Sequence, residues 1–158
     1  MTLDNMKECP FCNPNREEIK FNESENFLAI YNIAPILPGH SLIIPKRHVE
    51  SLMGLSNNEV CEMMLFSRDT VKILLEVFVV SGFNWTIQEG EEAGQTVPHF
   101  HLHLIPRKPN DLPKPGDWYP LMRESESNII DSSARPRLSA EEMRSIVSRI
   151  REFVHKKQ

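Results

Sequence analysis

The sharpest hydrophobic and polar pattern in the chain lies at residues 98–107, PHFHLHLIPR, where His99, His101 and His103 alternate with Phe100, Leu102 and Leu104. Alternation of period two predicts a β-strand, because neighbouring side chains on a strand point to opposite faces. Three imidazoles therefore share one face at intervals of about 6.7 Å, and an apolar row lines the other. Two further β-rich runs, FLAIYNI at 27–33 and HSLIIP at 40–45, are joined by APILPG, whose prolines and Gly39 predict the turn of a hairpin.

From Ser56 the period changes. Ser56 and Glu59 form a capping box, and Val60, Met63, Met64, Ser67, Val71, Leu74, Leu75 and Phe78 recur at helical spacing until Gly82. This predicts a long helix with one buried stripe. Residues 83–90, FNWTIQEG, read as a strand, and EEAGQTV as the turn into the histidine strand, so these two strands are expected to pair antiparallel. Residues 107–138 are rich in Pro, Asp, Asn, Ser and Arg with no sustained period, which predicts an irregular or mobile segment whose length points to function. A second capping box, Ser139 with Glu142, opens a terminal helix over 139–156. The elements add up to a single α+β domain over 1–158: an antiparallel sheet with one long helix and a C-terminal helix on one side.

With 40% hydrophobic and 25% charged residues in 158, the composition suits one soluble domain with a proper core. A net charge of -4 argues against a surface that coats nucleic acid, so an anionic ligand has to be held by local groups. No apolar run is long enough to span a bilayer, and the start MTLDNMKECPFC lacks the build of a signal peptide. The expectation is a cytoplasmic protein with neither a membrane nor a nucleic acid as partner. The sequons at Asn22 and Asn84 are then chance matches, and three cysteines fit a disulfide framework poorly.

An aqueous strand face has no use for a ring of pKa about 6.5 at every outward position, whereas metal binding and catalysis both exploit it. Two chemistries are open. All three rings can ligate a catalytic metal with an open water position, or the middle ring can be a nucleophile flanked by groups that bind an anion. Cys9 and Cys12, in CPFC, have the spacing of half a tetrahedral zinc site; His48 and one end of the histidine run are candidates for the other half. A thioredoxin-like redox pair is the alternative, but no βαβ pattern surrounds it. Cys61, near the start of the long helix, reads as a small core hydrophobe. Lys46, Arg47 and Arg107 are either solvated charges or sources of positive potential near a phosphate. Trp118 and Tyr119 can cap a base or pack at an interface.

HFHLHLIPR matches the pattern of the histidine-triad superfamily, NIAPILPGHSLIIPKRH resembles its first hairpin, and QEGEEAGQTVPHFHLHLIPR resembles its active-site segment. The resemblance runs from about Cys9 to Arg107. Gln88 ahead of an acidic–glycine pair, and AGQTV, are closer to the fragile-histidine-triad branch than to the phosphoramidase branch. CPFC departs from the best-known eukaryotic member and resembles the zinc-bearing members and the related uridylyltransferases. The resemblance implies the HIT fold as a homodimer with joined sheets, and a structural zinc on Cys9, Cys12, His48 and His99. It implies His101 as nucleophile with one ring nitrogen donating to a backbone carbonyl, supported by His103 and His40. It further implies substrate contacts at Asn32, Gln88, Gln95, Thr96 and His103, with a divalent cation such as magnesium accompanying the nucleotide. The implied activity is hydrolysis of dinucleoside polyphosphates. The alternatives are hydrolysis of phosphoramidates or adenylyl esters, nucleotidyl transfer or phosphorolysis, and a non-catalytic nucleotide sensor.

Overall fold

The computed structural model describes residues 9–13, 16–127 and 137–156. Helix α1 (Arg16–Ile19) leads into β1 (Lys20–Glu23), β2 (Phe27–Tyr31) and β3 (Ser41–Pro45). The long helix α2 (Asn57–Phe78) is followed by β4 (Gly82–Thr86), β5 (Leu102–Arg107), α3 (Trp118–Ser127) and α4 (Ala140–His155). The five strands form one antiparallel sheet in the order β1-β2-β3-β5-β4. The architecture is α+β, with the expected hairpin paired from Phe27↔Pro45 to Tyr31↔Ser41.

Strands β2 and β3 are apolar at almost every position because both of their faces are buried. Phe27, Ala29, Tyr31, Ile43, Leu102 and Leu104 pack against the helices α2 and α4. Leu28, Ile30, Leu42 and Ile44 form a second layer on the opposite face, closed by Phe11 and Ile19. His103 pairs in register with Leu42 and so belongs to this second face, away from the helices. Both predicted capping boxes form, at Ser56/Glu59 and Ser139/Glu142.

Several expectations need correction. The buried stripe of α2 is Met63, Ser67, Thr70, Ile73, Leu74 and Val77, whereas Met64 is exposed. Cys61 is exposed rather than in the core, since it lies two residues from Met63, about 200° around the helix axis. The helix ends at Phe78 with Val79 in the left-handed region, and Gly82 opens β4 instead of stopping the helix. Residues 98–101 lie outside β5; Phe100 N–H donates to the Val49 carbonyl (2.6 Å) rather than to a ladder. Within the segment read as irregular, residues 118–127 are helical, with Met122 buried. Pro120 hid this helix from the pattern, yet proline is tolerated in a first turn. Residues 128–136 of that segment lie outside the described residues.

Gly39 carries the turn that delivers His40. Its φ is +90°, and a Cβ there would stand 2.7 Å from Pro106 Cγ and 2.9 Å from Phe78 Cδ2. Its N–H donates to the Tyr31 hydroxyl (2.9 Å), which fixes the chain as it enters β3.

Candidate active site and metal centre

At the mouth of β5, the tautomers of four histidines follow from their partners. His101 is buried, with Nδ1 2.8 Å from the His99 carbonyl oxygen. A carbonyl only accepts, so Nδ1 carries the proton and the lone pair of the neutral ring is on Nε2. Burial pulls the pKa of His101 below the ordinary histidine value, and the bond to His99 opposes it only in part. His101 is therefore held neutral and has a basic Nε2.

His40 is set the opposite way. Its Nδ1 accepts from the Ile36 N–H (3.3 Å), so Nε2 carries the proton and donates to His103 Nδ1 (3.0 Å). That bond places the proton of neutral His103 on Nε2. Asn32 Nδ2 lies 3.4 Å from the same His40 nitrogen, a longer and weaker approach, while its Oδ1 accepts from the Ala34 N–H (2.9 Å). The rings of His101 and His103 are 4.8 Å apart. A basic nitrogen and a hydrogen-bond donor thus stand side by side, which is what attack on phosphorus beside a charged oxygen requires.

Behind this pair, Cys9, Cys12, His48 and His99 bring one donor atom each to within 4.8 Å of one another. His99 Nδ1 is 3.5 Å from Cys9 Sγ and 3.6 Å from Cys12 Sγ, and His48 Nδ1 is 3.4 Å from Cys12 Sγ. His99 Nε2 donates to the Pro45 carbonyl (3.1 Å), so its Nδ1 lone pair faces the sulfurs. His48 Nε2 stands 3.8 Å from a Glu50 carboxylate oxygen. The Pro45 bond fixes the orientation of the His99 ring, as such outer partners do around ligating histidines. Burial depresses the pKa of His99 to about 4, and burial together with Cys9 raises that of Cys12 to about 11. The thiolate of Cys12 is thus disfavoured, and a cation among the four donors would reverse that preference.

The remaining predicted residues are distributed differently. Gln88 is buried; its Nε2 donates to Thr86 Oγ1 (2.9 Å), and its Oε1 has no partner among the described residues. The Gln95 side chain spans the loop, accepting from the Gly90 N–H (2.9 Å) and donating to the Glu50 carbonyl (3.0 Å). One end of that amide closes the turn on Gly90, and the other ties it to the segment that carries His48. Thr96 is exposed. Lys46 pairs with Glu23 (3.0 Å), Arg47 with Glu59 (2.9 Å), and Arg107 with Asp111 (2.8 Å), so each of these three charges is engaged by a carboxylate. Trp118 and Tyr119 pack edge to face with each other. Sequence reasoning missed Phe11, whose ring meets His99 and His101 edge-on at 5.6 and 5.3 Å. Its signal was its place inside CPFC, between two ligand candidates. The Pro45 and His99 carbonyls and the Ile36 N–H are main-chain groups and have no signature in side-chain identity.

Fold and site together define an α+β protein that presents a buried imidazole array beside a two-cysteine, two-histidine cluster. The chain belongs to the HIT domain family, whose model matches residues 13–110. Over 101 residues it is 41% identical to the asymmetrical bis(5'-nucleosyl)-tetraphosphatase of Schizosaccharomyces pombe, covering 64% of this chain and 56% of that protein. Over 136 residues it is 36% identical to the bis(5'-adenosyl)-triphosphatase of Dictyostelium discoideum, covering 86% of this chain and 85% of that protein. The chain thus spans just over half the length of the first of these relatives. Among solved structures, Plasmodium falciparum diadenosine triphosphate hydrolase in complex with cyclomarin A superposes with a TM-score of 0.71 at 26% identity, over 89% of this chain and 79% of that one. A Zn-bound histidine triad family protein from Mycobacterium smegmatis superposes with a TM-score of 0.55 at 32% identity, over 74% and 88%.

Proposed function

We propose that this protein hydrolyses dinucleoside polyphosphates to a nucleoside monophosphate through a nucleotidyl-His101 intermediate, as a single-domain, homodimeric, cytoplasmic enzyme. The observation that carries the reading is the 2.8 Å bond from His101 Nδ1–H to the His99 carbonyl, which leaves Nε2 as the nucleophile. The activities named for the Schizosaccharomyces pombe and Dictyostelium discoideum relatives support the substrate class.

In the first step the Nε2 lone pair forms a bond to the α-phosphorus and the bond from phosphorus to the bridging oxygen breaks. Nucleoside diphosphate leaves from a triphosphate-bridged substrate, and nucleoside triphosphate from a tetraphosphate-bridged one. Water then attacks phosphorus, the P–N bond breaks, one proton is released and the monophosphate departs. Two easier steps replace one hard one. His103 Nε2–H donates to a non-bridging oxygen as charge develops, and His40 holds it in the donating tautomer. Asn32 contacts the ribose, and the buried Gln88 Oε1 accepts from a substrate hydroxyl or from water. Gln95 and Thr96 shape the phosphate turn. A divalent cation such as magnesium, brought with the substrate, would offset phosphate charge.

The four-donor cluster fits zinc. Zn–S of about 2.3 Å and Zn–N of about 2.0 Å in a tetrahedron put sulfur and nitrogen about 3.5 Å apart. The observed separations are 3.4, 3.5 and 3.6 Å. Cys9, Cys12, His48 and His99 would hold the ion, which supplies a redox-inert structural crosslink when bound.

The test is to incubate wild type and His101→Asn with diadenosine triphosphate, diadenosine tetraphosphate and adenosine phosphoramidate and to resolve the products by chromatography. AMP from a dinucleotide with wild type alone is the expected result. Equal release by both proteins removes His101 as nucleophile. Turnover of the phosphoramidate alone moves the protein to the phosphoramidase class.

A further inference from the structure

We infer that the Cys9–Cys12 knuckle is a positioning device for the nucleophile, acting through His99 and Phe11; this rests on the hydrolase reading above. Residue 99 is joined to both centres at once. Its ring presents Nδ1 to Cys9 Sγ (3.5 Å) and Cys12 Sγ (3.6 Å), while its carbonyl accepts the Nδ1–H of His101 (2.8 Å). That carbonyl lies ahead of β5, which begins only at Leu102, and its peptide plane is held through the Phe100 N–H, which donates to the carbonyl of Val49 (2.6 Å), the residue next to His48 of the cluster. The bond from His99 Nε2–H to the Pro45 carbonyl (3.1 Å) and the sulfur cluster are what anchor its ring.

Phe11 is the second link. It sits between the two cysteines of the knuckle, and its ring edge meets His99 at 5.6 Å and His101 at 5.3 Å. Arg16 Nη1 donates to the Phe11 carbonyl (2.7 Å), which pins the knuckle to α1. With the four donors held together, the His99 ring, its carbonyl and the His101 imidazole form one rigid series, and Phe11 braces it from the side. With the donors released, the His99 ring keeps only its bond to Pro45, the 48–49 segment that anchors the His99–Phe100 peptide loses its tie to the knuckle, and the Phe11 brace slackens, so the acceptor and ring of His101 lose their fixed placement. Misplacing a reacting group costs rate, whereas substrate contacts made elsewhere preserve affinity. A metal that served only the fold would change the fraction of folded molecules and leave the rate of each unaltered.

The experiment compares the full chain reconstituted with zinc chloride, the same chain stripped by a chelator, and the variants His99→Gln, His99→Cys and Phe11→Leu. Readouts are metal per chain, circular dichroism, the imidazole Nδ1–H resonance of His101 by NMR, and kcat and KM for diadenosine triphosphate. Stripping is expected to lower kcat on the order of tenfold to a hundredfold with KM moving less than about threefold, and to broaden the His101 proton signal. His99→Cys, which restores a donor, should turn over at least about tenfold faster than His99→Gln. A stripped, folded chain with unaltered kcat and an unaltered His101 signal overturns the inference. Should the stripped chain unfold, Phe11→Leu decides, because it keeps all four donors. A kcat lower by about tenfold at full metal content supports the positioning role, and an unaltered kcat overturns it. Absence of turnover by the zinc-loaded wild type defeats the hydrolase reading instead, and the His101 proton signal then decides the inference by itself.

Discussion

The same side chain does opposite work at His101 and His103 because a single main-chain group sets each tautomer. A carbonyl beside His101 Nδ1 exposes a lone pair; an N–H beside His40 Nδ1, passed on through one hydrogen bond, exposes a donor at His103. His40→Ala removes the group that holds the His103 proton on Nε2. The expected outcome is a kcat lower by about tenfold to a hundredfold with the KM for diadenosine triphosphate little altered, since the donor acts on charge that develops during attack. Steady-state kinetics check this, and an unaltered kcat would sink the His40–His103 chain. At this scale the sequence was legible wherever residue type alone carries the chemistry. The alternating histidines and the spaced cysteines announced both centres. It was not legible where geometry decides: Gln95 looks like a phosphate donor by position, yet its amide is consumed by Gly90 and Glu50.

Elements were legible where side-chain period and capping agree, as in α2 and α4, and opaque where a tertiary anchor overrides local pattern. Helix α3 is one such case. Arg107 at the end of β5 donates to Asp111 from Nε and Nη2 (2.8 and 2.9 Å) and from Nη1 to the Pro115 carbonyl (2.7 Å), and this holds the chain that leads into α3. The Arg107 guanidinium depresses the pKa of Asp111 from 3.8 to about 2. A carboxylate with a lowered folded-state pKa contributes stability that is present above its unfolded pKa and lost as pH falls through the folded one. Asp111→Asn should therefore cost about 2 kcal/mol at pH 7, and the gap to wild type should close between pH 4 and pH 2 in urea titrations. A gap independent of pH would contradict the ion-pair account. The end of α2 is the other case. Val79 closes that helix at φ 51° and ψ 57°, a left-handed conformation that costs a β-branched residue about 1–2 kcal/mol. Val79 is 83% exposed, so Val79→Gly gives up little burial and should raise stability by about 1 kcal/mol, measured by the same titrations.

For the whole molecule, the two edges of the sheet have unequal fates. At the start of β1, Arg151 of α4 donates from Nε to the Lys20 carbonyl (2.9 Å) and from Nη2 to the Glu17 carbonyl of α1 (2.8 Å), and Lys20 pairs with Glu17. Charge and a covering helix are what blunt an edge against further pairing. At β4 the ladder has β5 on one side; Trp85 near the strand end and Ile87 just beyond it are 39% and 37% exposed. Trp85 lies opposite Leu104, so it stands on the helix face, where a second copy laid antiparallel along β4 would cover it. A two-fold pairing of this kind is self-complementary and closes at two copies, making one continuous sheet from two. The wild-type chain should therefore run at twice 18.3 kDa in size-exclusion chromatography with light scattering. Trp85→Glu places a carboxylate on the face that a second copy would cover, where burying an unpaired charge disfavours pairing. It should shift the mass toward 18.3 kDa at micromolar concentration while the circular dichroism spectrum holds. A wild type that is monomeric at that concentration, or a Trp85→Glu that stays dimeric, rules out β4 as the seam. Because His101 lies just ahead of β5, the strand paired with β4, turnover measured on the same fractions then tells whether one copy suffices for the chemistry.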